Sequence, residues 1–346
     1  MTSDLSLRML ACVPRGEYYL YTNLNDVLAG LSSTEVATVG IAGTGSVSQV
    51  HLNPDDLSCD SLLSSWESGA AAPESYLDDL ASISVADGWA VSLADGDSDV
   101  LINAPHSGCL SVARLVVSAH AGANCRLNVH SSGPGVALIQ ISLRLDAGAD
   151  VSVFIDQPEG SKALCRAETS LAANSSLALM TESIHPRFVR NEFLVSIVGE
   201  GANLKLGGAY HVAEGEKLDN SVKVEHKVGG AVSGQLFKGI ADKGGRMSFS
   251  GLIVVDKDAQ KTEAFQTNRH LLMSDDARAW AKPQLEIYAD DVKCSHGATT
   301  GQIDAAQLFY LMQRGIDEAT AKALLADAFL AEVYNFCGIQ NDSVIN

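Results

Sequence analysis

Cys294 and His296, two apart in the run Gln284–His296 (QLEIYADDVKCSH), are the residues whose types and spacing best suit chemistry. On an extended strand, residues i and i+2 point to the same side. A fully extended run would therefore place Glu286, Asp290, Cys294 and His296 on one face, with Asp291 and Lys293 on the other. A thiolate, an imidazole and carboxylates together suit a transition metal, with Cys294, His296 and Glu286 as the candidate ligands. The neighbouring Lys293 would favour the thiolate form of Cys294. Two strong ligands do not complete an iron–sulfur site, which usually takes four. Either distant residues converge on this pair or a second chain supplies the rest. Spacing by itself favours a plainer alternative, in which Cys294 is a small buried hydrophobe and His296 a turn residue.

Other motifs fall away. Gly40-x-x-x-x-Gly45-Ser46 approaches a phosphate-binding loop, but Ser46 stands where Lys must reach the β- and γ-phosphates and Val47 follows it. Nucleotide binding by this chain is not expected. There is no GxSxG elbow and no HExxH pair, so neither hydrolase nor zincin chemistry has a local anchor. Isolated histidines such as His51, His106 and His185 are read as hydrogen-bonded structural residues.

The chain has 346 residues, 46% of them hydrophobic, enough for a sizeable core. Its 42 acidic against 24 basic residues argue against nucleic acid, whose phosphates require clustered Lys and Arg. No stretch has the ~18 uncharged apolar residues of a membrane span, and residues 1–16, broken by Asp4, Arg8 and Pro14, lack the apolar run of a signal peptide. Seven cysteines without a CxxC pair fit a reducing compartment, the cytoplasm or a plastid stroma.

The elements that must position Cys294 and His296 are short alternating runs of Val, Ile and Leu: Leu110–Ser118, Arg126–His130, Leu138–Leu145, Val151–Ile155, Phe193–Val198 and Met247–Val255. No proline occurs between Pro186 and Pro283, as expected where backbone N–H groups are committed to ladders. A Gly, Asn or Asp followed by a small residue recurs at Gly122-Ala123, Gly148-Ala149, Asn174-Ser175, Gly201-Ala202, Gly230-Ala231 and Asp258-Ala259. These residues accept left-handed backbone most readily. Their recurrence every ~26–29 residues predicts one corner per coil of a solenoid. A β-sandwich would place turns every ~8–12 residues without that longer register.

The ends differ. Asp304 with Gln307 predicts a helix start, Leu308, Leu311 and Met312 a stripe, and Gly315 its end. A second helix is expected from Asp317 to Phe336, with Ala321, Leu324, Leu325, Ala328, Phe329 and Val333 on its apolar side. Helical segments are also expected around Ser61–Trp66 and Glu74–Leu80. The predicted organisation is a partly helical region over 1–84, a β core over 85–302 and a helical region over 303–346.

The stretch from Gln260 to about Phe336, containing KCSHGATT at Lys293–Thr300, resembles the C-terminal region of the SufB/SufD family of iron–sulfur cluster assembly scaffolds, on its SufD side. Tyr18–Leu28 (YYLYTNLNDVL) resembles the family's N-terminal Tyr-Thr-x-Leu segment, whereas residues 32–105 resemble it little. The resemblance implies a mainly β protein, a right-handed parallel β-helix core with α-helical N- and C-terminal regions. It also implies a non-catalytic subunit that pairs with SufB and carries the SufC ATPase. Cys294 and His296 would then contribute to a nascent iron–sulfur cluster shared with SufB. SufC would dock through Leu308, Phe309, Leu311, Met312, Leu324, Leu325 and Phe329. Two other classes are weighed against this reading. A β-helix enzyme acting on polysaccharide needs a basic, aromatic-lined groove, and no basic cluster is visible. A stand-alone homodimeric metal-binding protein would hold stoichiometric metal by itself.

Overall fold

The computed structural model describes residue 31 and residues 33–43, 48–52, 88–93 and 95–340. Most of the described residues before the two C-terminal helices are strand. In chain order these are β1 (Ser33–Val36), β2 (Thr38–Gly43), β3 (Ser48–Leu52), β4 (Gly88–Leu93), β5 (Gly96–Asn103), β6 (Cys109–Ala119) and β7 (Asn124–Ser132). They continue as β8 (Val136–Leu145), β9 (Asp150–Gln157), β10 (Lys162–Leu171), β11 (Ser176–Ile184), β12 (Phe188–Ile197) and β13 (Asn203–Val212). The last six are β14 (Lys217–His226), β15 (Val232–Ala241), β16 (Arg246–Val255), β17 (Glu263–Leu272), β18 (Arg278–Ile287) and β19 (Lys293–Gly301).

From β4 onward, even-numbered strands stack in parallel in one sheet and odd-numbered strands in the other. Each coil thus gives one strand to each sheet, and the whole is a parallel β-solenoid of about seven turns. The two facing sheets explain why a sandwich competes with a solenoid on sequence grounds: both bury one face of each strand. What separates them is that neighbours in a sheet are a full coil apart in sequence, as in Cys165↔Asn191↔Asn220.

The corners show why the small-residue repeat exists. Gly122, Gly148, Asn174, Gly201 and Gly230 all have φ between 56° and 72°. The N–H groups of Gly122, Gly148 and Asn174 donate to carbonyls of the following coil, at Ala147, Ala173 and Glu200. The next residue in each case, Ala123, Ala149, Ser175, Ala202 or Ala231, turns into the interior and is buried. Asp258 departs from the expectation: the left-handed residue of that corner is Lys261, φ 63°, whose N–H donates to Asp291 O. Ala259 is still fully buried, so the small-residue half of the repeat survives.

Within residues 1–84 the described part consists of β1, β2 and β3, which join the sheets. The expected helices near 61–66 and 74–80, and the Tyr18–Leu28 segment, lie outside the described residues. So do Gly45 and Ser46, while Gly40 sits within β2, paired antiparallel with β5. Pro283 lies in β18, the outermost strand of its sheet, where a missing ladder donor is tolerated.

Two helices follow, α1 (Ala305–Gln313) and α2 (Glu318–Cys337). Asp304 caps α1 by accepting from Ala306 N at 2.8 Å, and Gly315 at φ 87° follows its end. Asp317 caps α2 by accepting from Thr320 N at 3.0 Å. The apolar side of α2 is rotated from the predicted one. Ala321, Ala326, Leu330, Val333, Tyr334 and Cys337 are buried, whereas Leu324 and Ala328 face solvent. Many small residues leave α2 weakly amphipathic, and the sheet decides which side is covered. That side packs on β11, β13 and β15. Gly207 and Gly234 allow the close approach: a Cβ on Gly207 would lie 2.5 Å from Cys337 Sγ, and one on Gly234 2.9 Å from Phe336. Among the described residues no helix is long and apolar enough to cross a membrane.

Candidate functional site at the open end of the solenoid

Among the described residues β18 and β19 are the last strands of their two sheets, and no further strand pairs with either on its outer side. β19 lies on β17 with Cys294 opposite Ala264, His296 opposite Gln266 and Ala298 opposite Asn268. On β17 these even-numbered positions face the interior and are fully covered. One coil further on, the matching positions are open: Cys294 is half-buried, and His296 and Ala298 are exposed. The last coil therefore roofs the coil beneath it, while among the described residues no further coil roofs its own interior face.

The corner leading into β19 is pinned from below. Asp291 accepts from the Lys261 ammonium, its N–H donates to Gln260 Oε1 at 2.9 Å, and Lys293 N donates to Thr262 O at 2.9 Å. Lys293 Nζ binds Glu263 Oε1 at 2.6 Å, and this carboxylate raises the ammonium pKa. Lys293 is thus committed to Glu263 and does not favour the Cys294 thiolate. Cys294 instead packs with Leu285 and Val292 against the cluster of Ile253, Val255 and Ala264. Burial pushes its thiol pKa up, partly offset by the Ala264 backbone N–H.

The expected single face does not form. The run Gln284–His296 breaks at Tyr288–Val292, so Glu286 ends one sheet on β18 while Cys294 and His296 begin the other on β19. Asp290 lies in the turn between them. Glu286 is exposed and receives the Tyr288 hydroxyl at 3.5 Å. Among the described residues, no three His, Cys, Asp or Glu side chains come together as a metal site. Cys294 and His296 remain as neighbours on one face of one edge strand. None of the described cysteines is in a disulfide, and burial raises Cys125 to about 11 and Cys165 and Cys337 to about 12.

Residues 100–329 match the family described as SUF system FeS cluster assembly, SufBD core domain. The chain belongs to the SufB/SufD family. It is 43% identical over 145 residues to the iron–sulfur cluster assembly protein SufD of Escherichia coli, covering 42% of this chain and 34% of that protein. The Bacillus subtilis protein of the same name is 37% identical over 125 residues, 36% of this chain and 29% of that one. A SufBD family protein of Mycobacterium leprae is 26% identical over 246 residues, 68% of this chain and 62% of that one. These alignments support a SufD-type member, and they span about a third of the two SufD proteins. The SufBD match reaches well upstream of Gln260, into the coils from β5 onward.

The helices carry the other residues singled out from the sequence. Phe309, Met312 and Leu324 are exposed, as is Tyr310. Leu308, Leu311 and Leu325 are half-buried. Phe329 is turned to the sheet, with Lys238 Nζ 4.4 Å above its ring. Lys238 is covered on the outer face of β15 and bound by Glu332 at 2.5 Å; burial lowers its pKa, and Glu332 opposes that shift. Tyr334 donates its hydroxyl to Glu182 on β11. Burial, then the charge of Asp156, raises Glu182 to about 7.

Sequence reasoning missed a set of polar residues inside the solenoid. Tyr210, Gln235, Gln266, Asn268 and His270 are all buried at inward positions. The available signal was Gln266-x-Asn268-x-His270, three polar residues at i, i+2 and i+4 where a strand should show its apolar face.

Proposed function

We propose that this chain is the SufD-type subunit of a SufBCD iron–sulfur cluster assembly complex, a scaffold that pairs with SufB and takes ATP-driven motion from SufC. The observation that carries the reading is the placement of Cys294 and His296 on one face of β19, the last described strand of its sheet, with Cys294 half-buried and His296 exposed. A thiol and an imidazole on one face offer a soft and a borderline ligand to iron. Edge strands pair readily with another chain, so a partner covering this edge can bring the missing ligands. The nascent cluster is cargo here, held across the interface and released, and the chain itself is not a catalyst.

SufC docking is assigned to α1 and the exposed start of α2, through Phe309, Met312 and Leu324, with Leu308, Leu311 and Leu325 at their margin. Phe329 supports the helix from below. The test is affinity purification from the native host followed by anaerobic reconstitution. Recovery of a SufB paralogue and an ABC-type ATPase is expected, and His296→Ala should assemble the complex yet slow cluster formation at least tenfold. Full assembly with wild-type maturation would sink the ligand assignment, and an isolated homodimer loaded with stoichiometric metal would sink the complex.

A further inference from the structure

The solenoid interior changes character along its axis. In the early coils most inward positions are apolar, among them Val100, Ile102, Leu127, Val129, Val151, Val153 and Ile155, with Ser98, Ser131 and Gln157 as buried polar exceptions. From β13 onward they include Tyr210, Asn220, His226, Gln235, Gln266, Asn268 and His270, each at 2% exposure or less. Several are joined: Gln266 Nε2 donates to Gln235 Oε1 at 2.9 Å, Asn268 Nδ2 donates to Tyr210 Oη at 3.3 Å, and Tyr210 Oη meets His270 Nε2 at 2.9 Å.

The remaining capacity is what matters. Asn220 Nδ2 and Gln235 Nε2 have no acceptor, Gln266 Oε1 and Asn268 Oδ1 have no donor, and Nδ1 of both His226 and His270 is unpartnered. Buried polar groups are seldom left without partners, because each has lost its water for nothing. These atoms also offer both senses of hydrogen bond. No Asp, Glu, Lys or Arg occupies an inward position between β13 and β17. Burial holds His226 and His270 neutral, with pKa values lowered to about 4. An anion finds no cation there, and a metal finds no carboxylate or thiolate. Water, donor and acceptor at once, satisfies the set.

We infer that the interior of these coils binds a chain of ordered water molecules, seated on Asn220, Gln235, Gln266, Asn268 and His270. Gln235, Gln266 and His296 occupy the same register on β15, β17 and β19, so the chain ends beneath the edge strand. If that strand holds cargo as proposed above, the site stays hydrated from inside when a partner covers its outer edge. The water chain itself is a property of the fold and stands apart from that reading.

A crystal structure of the full chain, at a resolution that shows ordered solvent, tests it. Water within hydrogen-bond distance of Gln266 Oε1, Asn268 Oδ1 and His270 Nδ1 is expected. A dry interior, with these side chains re-paired among themselves, overturns the inference. Gln266→Met gives a second readout. If water satisfies Gln266, removing the amide strands that water, and the melting temperature falls or holds. If Gln266 Oε1 is dry, the apolar side chain gives up the bond to Gln235 but relieves an orphaned oxygen, and a higher melting temperature overturns the inference.

Discussion

Tyr210 and His270 are hydrogen-bonded at 2.9 Å across an intervening coil that places Gly239 between them. The Tyr210 ring lies over that glycine so closely that a Cβ there would sit 2.0 Å from Cε2. Gly239→Ala should therefore expel the ring and break the bond, costing about 2–3 kcal/mol by overpacking. Gly297→Ala is the control, since nothing lies within 4 Å of its would-be Cβ. Urea denaturation of the two variants would show no difference if the interior were loosely packed.

The buried histidines set an acid limit. His226 and His270 titrate near 4 when folded, against about 6.5 when unfolded. Their neutral forms thus add stability that is complete above pH ~6.5 and disappears as pH falls toward 4. Glu182 acts in the opposite sense: raised to about 7, it adds stability below pH ~4.5 that is lost as pH rises to 7. Glu182→Gln should make the rise in stability between pH 4.5 and 7 steeper, read from melting temperatures at constant ionic strength. An unchanged slope would mean that Glu182 is solvated.

The seam beneath α2 predicts a local effect. Gly207→Ala would press on Cys337 and Val333 Cγ1, the latter 2.9 Å from the new Cβ. The expected cost is about 1–3 kcal/mol. Hydrogen exchange should accelerate across 318–337 more than in the coils. Uniform acceleration would instead show that helix and sheet open together.

Cys294 should alkylate slowly at neutral pH, since burial holds its thiol above the ordinary value. Iodoacetamide labelling followed by mass spectrometry should show the Cys294 rate climbing with pH beyond 9, with Cys165 and Cys337 inert throughout. Rapid labelling of Cys294 at pH 7 would restore the Lys293-assisted thiolate.

Much of this fold is legible in the sequence because the corner imposes a backbone requirement that few residues meet. Gly122, Gly148, Asn174, Gly201 and Gly230 announce the coil, and their buried successors announce which way it turns. Asp258 misleads because Lys261 adopts the left-handed geometry in its place, a substitution that propensity does not foresee. The helix caps Asp304 and Asp317 are equally plain, being local hydrogen bonds. The covered side of α2 is not, because it depends on Gly207 and Gly234 from strands over a hundred residues away. The candidate ligands divide in the same way. Cys294 and His296 share a face because two residues of one strand must, whereas Glu286 is lost to a corner that the run QLEIYADDVKCSH does not advertise.

The position of α2 has a consequence for how the molecule comes apart. A solenoid made only of nearest-neighbour contacts unravels by degrees, each coil melting when the one outside it has gone. Here one helix lies across β11, β13 and β15, binding three successive coils into a single cooperative block. β18 and β19 lie beyond that block. The terminal coil can thus fray and re-form on its own while the body of the protein stays intact.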